Sequence, residues 1–434
     1  LTRIEVVHVA TGQAVRSYQF SYDNAGPTGR SRLAALQECA GEHCLAPTQF
    51  SWSSAQAGWT GEVMVNVPTA QFASALPGDV DGDGLDDLTY HDATARQWMV
   101  LRGGPDGFQP TAVSTGFGSD SDPSQAIAAN LDGDVRRDIL VPGSGNYWHV
   151  LRRTGTSGYS YVTTGVPNAA PAGGLIAADV DGDGRDDLVS VNATGSALLW
   201  RRNQTVAAPS FAAEAVLWTV PVGTRLPAAP FVETTQRFRS LVRNGDFNGD
   251  GRVDLLVLAQ QGTCGAKATC ATWVNRWMVL GSTGSTLAPQ YSFDGNTEAL
   301  LADLNGDGLT DIAYSSLSGT WQMLLGAGTR GSTLTGFAGP RSTLAQAPSA
   351  GGRAMVVDWD ADGRADLLQP DSAGELRHCR SIATSIQGCQ PTGIVVGTAP
   401  SSPMALDVNG DGQVDVAYAN TAARLHVHRP GPTD

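Results

Sequence analysis

The sequence predicts an all-β fold, a seven-bladed β-propeller with four-stranded blades, on three observations. A nine-residue acidic phrase recurs seven times, at steps of 51, 49, 67, 57, 55 and 49 residues. Each copy is embedded in the same order of strand-like segments. The composition, 52 Gly and 23 Pro in 434 residues with only 16% charged, suits many short strands joined by turns.

Composition also excludes several classes. With 41% hydrophobic residues the chain can bury a core, so it is not a disordered polyelectrolyte. Helical bundles need Ala/Glu/Lys/Leu/Arg-rich runs, and Lys267 is the single lysine here. The net charge of −14 argues against nucleic acid or an anionic membrane surface as partner. No apolar run is long enough to span a bilayer, so no membrane insertion is expected. The chain opens at Leu1 without a basic and then apolar leader, and reads as a mature form or an excised segment.

The repeated phrase has the chemistry of a hard-cation site. Its copies are DVDGDGLDD (79–87), NLDGDVRRD (130–138), DVDGDGRDD (179–187), DFNGDGRVD (246–254), DLNGDGLTD (303–311), DWDADGRAD (358–366) and DVNGDGQVD (407–415). We number them loops 1 to 7. Positions 1, 3, 5 and 9 always carry Asp or Asn. In loops 1 to 4 these are Asp79, Asp81, Asp83, Asp87; Asn130, Asp132, Asp134, Asp138; Asp179, Asp181, Asp183, Asp187; and Asp246, Asn248, Asp250, Asp254. In loops 5 to 7 they are Asp303, Asn305, Asp307, Asp311; Asp358, Asp360, Asp362, Asp366; and Asp407, Asn409, Asp411, Asp415.

Position 7 can add a main-chain carbonyl from Leu85, Arg136, Arg185, Arg252, Leu309, Arg364 or Gln413. Ca²⁺ takes six to eight oxygens at about 2.3–2.6 Å, whereas Mg²⁺ prefers a tight octahedron with retained waters. Without a cation the clustered carboxylates would repel one another. Up to seven Ca²⁺ ions are therefore expected, and their charge would cancel the −14. Twenty-six of the 42 acidic residues lie inside the seven loops.

An EF-hand needs an acidic ligand at position 12 and a following helix. Position 12 here is Tyr90, Val141, Ser190, Val257, Tyr314, Gln369 or Tyr418, and strand-like segments such as DLLVLA follow. Metal-free acidic turns are the plainer rival. Loop 2 is the weakest copy: Val135 replaces the position-6 glycine, where a positive φ is needed, and Asn130 replaces the first Asp.

A short apolar run precedes each loop, and a third strand bearing Trp98, Trp148, Trp200, Trp277 or Trp321 comes after the second. Leu376 and Leu425 hold that place in the last two copies. These tryptophans read as inter-blade packing, with sugar stacking as the rival. The seventh copy ends before a fourth strand, and residues 59–67 align with that strand in other blades. They are expected to complete the last blade and leave no open edge.

The loops and Trp-bearing strands resemble FG-GAP/VCBS repeats, the calcium-loop propellers of integrin α-chain heads and of bacterial surface proteins. That resemblance spans about 58–430 and implies metal-loop chemistry, not an integrin ligand. Residues 1–57 form a separate N-terminal β-hairpin segment. Within it YQFSYDNAGPTGRSRLAALQECAGEHCLAPTQFSW (18–52) resembles the stretch before such repeats in toxin-complex B subunits, SpvB-type proteins and Rhs-type toxins. The resemblance implies a module of a secreted, toxin-like bacterial protein.

The six cysteines form three local pairs, Cys39/Cys44, Cys264/Cys270 and Cys379/Cys389. Spacings of four, five and nine intervening residues suit disulfides in an oxidising compartment better than zinc. The seven histidines make no HExxH or C2H2 spacing, and no nucleophile elbow or P-loop occurs. GAGTRG (326–331) matches a phosphate-loop pattern but precedes no helix, and reads as a hairpin turn.

No catalytic residue is assigned. The expected function is a non-enzymatic, extracellular, Ca²⁺-stabilised binding or assembly module, monomeric within a larger protein, with a protein or glycan partner. The alternatives are a carbohydrate-binding propeller and a polysaccharide lyase or hydrolase working in the central funnel.

Overall fold

The computed structural model describes residues 2–7, 14–23, 32–40, 43–50, 74–119, 122–155, 158–168, 175–204, 210–226, 241–264, 270–327, 336–346, 354–360, 362–396, 403–419 and 425–428. Strands dominate it. An N-terminal five-stranded antiparallel sheet is built from Arg3–Val7, Ala14–Asp23, Arg32–Ala40, His43–Cys44 and Thr48–Gln49.

Each acidic loop then joins the first and second strands of one antiparallel sheet. In the second of these sheets the strands Ile127–Ala129, Asp138–Pro142, Tyr147–Thr154 and Gly158–Pro167 pair in chain order. The same order recurs around the other loops; the sheet at loop 4 gains Thr224–Arg225, and the sheet at loop 7 has three described strands. Residues 59–67, expected to supply its fourth, lie outside the described residues.

The second strands explain their own composition. Asp138–Pro142 and Asp311–Ser315 are buried at every position. A strand covered on both faces is apolar at successive positions, as ILVP and IAY are after the position-9 aspartates. The covering comes from neighbouring sheets. One cluster joins Val80 and Trp98 to Ile139 and Leu151, and another joins Phe247, Leu256 and Trp277 to Ile312 and Tyr314. Leu88, Leu101 and Phe108 of the sheet at loop 1 pack on Leu406, Val408 and Val427 of the sheet at loop 7.

Backbone hydrogen bonds also link the loops to one another. The position-8 amide of one loop donates to the position-1 carbonyl of the loop before it. Arg137 donates to Asp79 at 2.7 Å, Asp186 to Asn130 at 2.7 Å, Val253 to Asp179 at 2.8 Å, Thr310 to Asp246 at 3.3 Å and Ala365 to Asp303 at 2.8 Å. Asp86 donates to Asp407 at 2.9 Å in the same way.

Third-strand register corrects one sequence assignment. His91 faces Trp98, Pro142 faces Trp148, Leu258 faces Trp277 and Ser315 faces Trp321. In the sheet at loop 3, Val191 faces Leu198, whereas Trp200 faces Val189. Leu198 therefore holds the tryptophan place there, and Trp200 lies two residues further along. In the segment ALLWR, alternate Leu and Trp both point inward, so spacing alone could not choose between them.

Candidate metal centre

Each loop is wound around its first side chain. In loop 1 the Asp79 carboxylate accepts the amides of Gly82 and Gly84, at 2.6 and 2.9 Å. Asp179 does the same with Gly182 and Gly184, both at 2.8 Å. The turn requires a left-handed backbone at position 6: φ is +85° at Gly184 and +83° at Gly251, a region a Cβ resists. The position-7 amide then bonds the position-5 carboxylate, as Leu85 does with Asp83 at 3.0 Å and Leu309 with Asp307 at 2.8 Å.

Position 9 opens the second strand and ties the loop to the sheet. Asp87 Oδ2 accepts the Val80 amide at 3.1 Å while its Oδ1 accepts the Gly103 amide at 3.0 Å. Asp254 and Asp311 are held in the same manner by Phe247 and Ser282, and by Leu304 and Gly326. Position 2 is thus a core residue whose amide serves the site.

Carboxylate oxygens converge in three loops: those of Asp79, Asp81 and Asp87, of Asp179, Asp181 and Asp187, and of Asp358, Asp360 and Asp362 each lie within 4.8 Å of one another. Burial pushes Asp87 and Asp254 from 3.8 to about 6, and Asp187 and Asp311 to about 7, against the downward pull of the amides they accept. Neighbouring Asp81 and Asp181 raise their partners further. Asp81 Oδ1 and Asp181 Oδ1 are buried without a hydrogen-bond partner among the described residues. In loops 1 and 3 the crowded, buried carboxylates have unused oxygens and no histidine or cysteine beside them among the described residues, which fits a hard divalent cation; in loop 6 His378 Nε2 lies 2.9 Å from Asp366 Oδ2.

Loops 4, 5 and 7 carry Asn at position 3. Its Oδ1 accepts the position-5 amide and its Nδ2 donates to the position-5 carboxylate, at 2.9 and 3.1 Å for Asn248 and Asp250. The four loops with Asp at position 3 each have an arginine at one shared register, in the third strand or directly after it, which the sequence reading missed. Arg102 Nε lies 3.3 Å from Asp81 Oδ2, Arg202 pairs with Asp181, and Arg380 Nε lies 2.6 Å from Asp360 Oδ2. Arg152 is the fourth, and reaches Asp132 at 3.3 Å. Loops 4 and 5 have Gly281 and Leu325 at that register; in loop 7 it falls on Arg429, outside the described residues. The signal lay in comparing the copies: in loops 1 to 6 the arginine occurs only where position 3 is Asp, whereas loop 7 has Arg429 with Asn409.

The other predicted residues are placed as follows. Disulfides join Cys39 to Cys44 and Cys379 to Cys389. The side chains of Cys264 and Cys270 lie outside the described residues, although their backbones face each other at the end of a ladder. Trp98, Trp277 and Trp321 are fully buried, and Trp148 and Trp200 nearly so. Trp321 Nε1 donates to Gln369 Oε1 of the next sheet at 2.9 Å, so these rings pack between sheets. His426 and His428 stack on Tyr418, whose hydroxyl lies 3.0 Å from His428 Nε2. The strands flanking GAGTRG pair as a hairpin, with residues 328–331 outside the described set.

A fold of consecutive antiparallel sheets, most of them four-stranded and each with an acidic loop between its first two strands, is that of a β-propeller. The family model "FG-GAP-like repeat" matches residues 130–190, 246–314 and 303–368, the stretches that hold loops 2 to 6. No curated protein matches the chain. Among solved structures, BBS1N in complex with ARL6DN is similar at 11% identity and a TM-score of 0.46, over 87% of this chain and 99% of that one. The exotype rhamnogalacturonan lyase YesX is similar at 12% identity and 0.42, over 98% and 87%. TcdB2-TccC3 without its hypervariable C-terminal region is similar at 14% identity and 0.28, over 88% of this chain and 18% of that one.

Proposed function

We propose that the chain is a non-catalytic, extracellular binding or assembly module of a secreted, toxin-like protein: a seven-bladed propeller whose loops bind Ca²⁺. The observation that carries the calcium reading is the convergence of buried carboxylates with unused oxygens in loops 1 and 3. In loops 1 and 3 the position-1 carboxylate holds the turn, position 3 brings its oxygens to the same centre, and position 9 joins them there and anchors the site to the second strand. The bound ion would supply positive charge where the chain provides only oxygen. Because the ligands come from both ends of the loop, the ion would tie the first strand to the second.

Two packing contacts favour a ring. The sheet at loop 7 packs on the sheet at loop 1, and Asp86 and Asp407 exchange hydrogen bonds across that junction. Disulfides fit an oxidising compartment, and no described helix is long and apolar enough to cross a membrane. Carbohydrate recognition through the repeated tryptophans is disfavoured by their burial.

Calcium bound to the folded state alone stabilises it by RT ln(1 + [L]/Kd) per site. A chelator should therefore lower the melting temperature and added Ca²⁺ should restore it, read by calorimetry. An unchanged melting temperature would overturn the calcium reading. A glycan array tests the partner class, with binding by the intact chain favouring the carbohydrate alternative.

A further inference from the structure

We infer that loop 2 takes no calcium, because the guanidinium of Arg152, carried on the third strand of its own sheet, is the resident cation of that loop. The inference rests on the calcium reading of the other loops.

Arg152 has the same register as Arg102 and Arg202. Leu101, Leu151 and Arg201 face Leu88, Ile139 and Leu188, and the three arginines follow them directly. What they do differs. Among the described residues Arg102 and Arg202 form ion pairs with the position-3 carboxylates and none with position 9, while Asp87 Oδ1 and Asp187 Oδ1 accept the backbone amides of Gly103 and Asn203. Arg152 instead turns its fork onto position 9. Its Nε and Nη2 donate to Asp138 Oδ1 and Oδ2, both at 3.0 Å, and its Nη1 lies 3.3 Å from Asp132 Oδ2. One planar group thus spans positions 3 and 9, the two ends that a metal ion would bridge. Guanidinium geometry matches two parallel carboxylate oxygens, which makes such pairs the strong ones.

The rest of loop 2 agrees. Asp134, at position 5, accepts the Nε and the amide of Arg136, both at 2.8 Å. Asp132 Oδ1 accepts the Asp134 amide at 3.1 Å, so no oxygen there resembles the unused Asp81 Oδ1. Position 1 is the neutral Asn130, whose Oδ1 accepts the Gly133 amide at 2.8 Å. Val135, 83% exposed, is not among the left-handed residues, so the backbone takes a path that the glycine loops do not. The Arg152 side chain is 15% exposed, against 54% for Arg202, so its charge is held inside while that of Arg202 sits at the rim. Removing one partner of such a pair leaves the other buried and uncompensated.

The test uses the full chain, stripped with a chelator and reloaded, counted by native mass spectrometry and melted with and without Ca²⁺. The wild type should bind at most six ions. Arg152→Gln should lower the melting temperature by several degrees equally in chelator and in calcium, whereas Arg202→Gln in chelator should change it little. Asn130→Asp, Val135→Gly and Arg152→Gln combined should raise the ion count by one. Should Arg152→Gln fail to fold, Arg152→Lys, which keeps the charge without the fork, should still melt lower at an unchanged ion count. Seven ions in the wild type, or loss of an ion in Arg152→Gln, would overturn the inference. Absence of any bound ion would instead overturn the calcium reading. The fall of Arg152→Gln in chelator would then still decide whether Arg152 holds loop 2.

Discussion

Gly182 and Gly184 sit two residues apart with left-handed φ of +77° and +85°, yet their surroundings differ. A Cβ on Gly184 would meet nothing within 4 Å, whereas one on Gly182 would meet Arg252 Cγ of the neighbouring loop at 2.8 Å. Gly184→Ala should therefore cost only the backbone term, about 1–2 kcal/mol. Gly182→Ala should cost that and a displaced Arg252, which a denaturant titration of the pair would resolve. The position-9 carboxylates give a pH signature. Asp187 and Asp311 are raised from 3.8 to about 7, so without metal the folded state favours their protonated form. That contribution is complete below about pH 4 and is lost as pH rises through 7. In chelator the melting temperature should thus rise on acidification from pH 8 to pH 5. With calcium the slope should reverse, because protons then compete with the ion.

The third strand carries the packing between sheets. Trp321 is fully buried and bonds Gln369 of the next sheet, so Trp321→Ala should cost about 3–5 kcal/mol in a denaturant titration. A cost below about 1 kcal/mol would place the ring outside the core. How much of this was legible in the sequence follows from what each element must satisfy. The loops could be read directly, since all seven copies repeat oxygen-bearing side chains at positions 1, 3, 5 and 9. The second strands could be read because burial on both faces favours apolar residues at successive positions. The amide links between loops could not, as every residue except proline has a backbone N–H and position 8 holds Asp, Arg, Val, Thr or Ala. Nor could the role of Arg152, which depends on a fork turning from position 3 to position 9. Trp200 was misplaced because pairing register, not distance from the loop, decides which inward residue faces Val191.

For the molecule as a whole, the junction between the sheets at loops 1 and 7 decides whether the repeats act as one ring. The sheets' backbones are close there: the Gly104 amide donates to the Val408 carbonyl at 3.0 Å, and a Cβ on Gly103 would lie 2.7 Å from Asp86 O and 2.8 Å from Val408 O. Backbone atoms cannot swing aside as a flexible side chain can, so Gly103→Ala should force the two sheets apart. The expected cost is about 1–3 kcal/mol. Gly388→Ala, where a Cβ would meet nothing within 4 Å, should be close to neutral in the same thermal melt. The sheet at loop 7 has three described strands where the other repeat sheets have four or more, leaving Leu425–His428 as its outermost. If residues 58–67 pair there, their removal uncovers the ladder edge of Leu425–His428 and takes cover from the apolar cluster at that junction. Core clusters join each repeat sheet to its neighbours, so the loss should spread beyond the sheet at loop 7. Deleting 58–67 should then lower the single melting transition and make Gly103→Ala nearly silent in the deleted background. An unchanged melt would show that the last sheet stands without them.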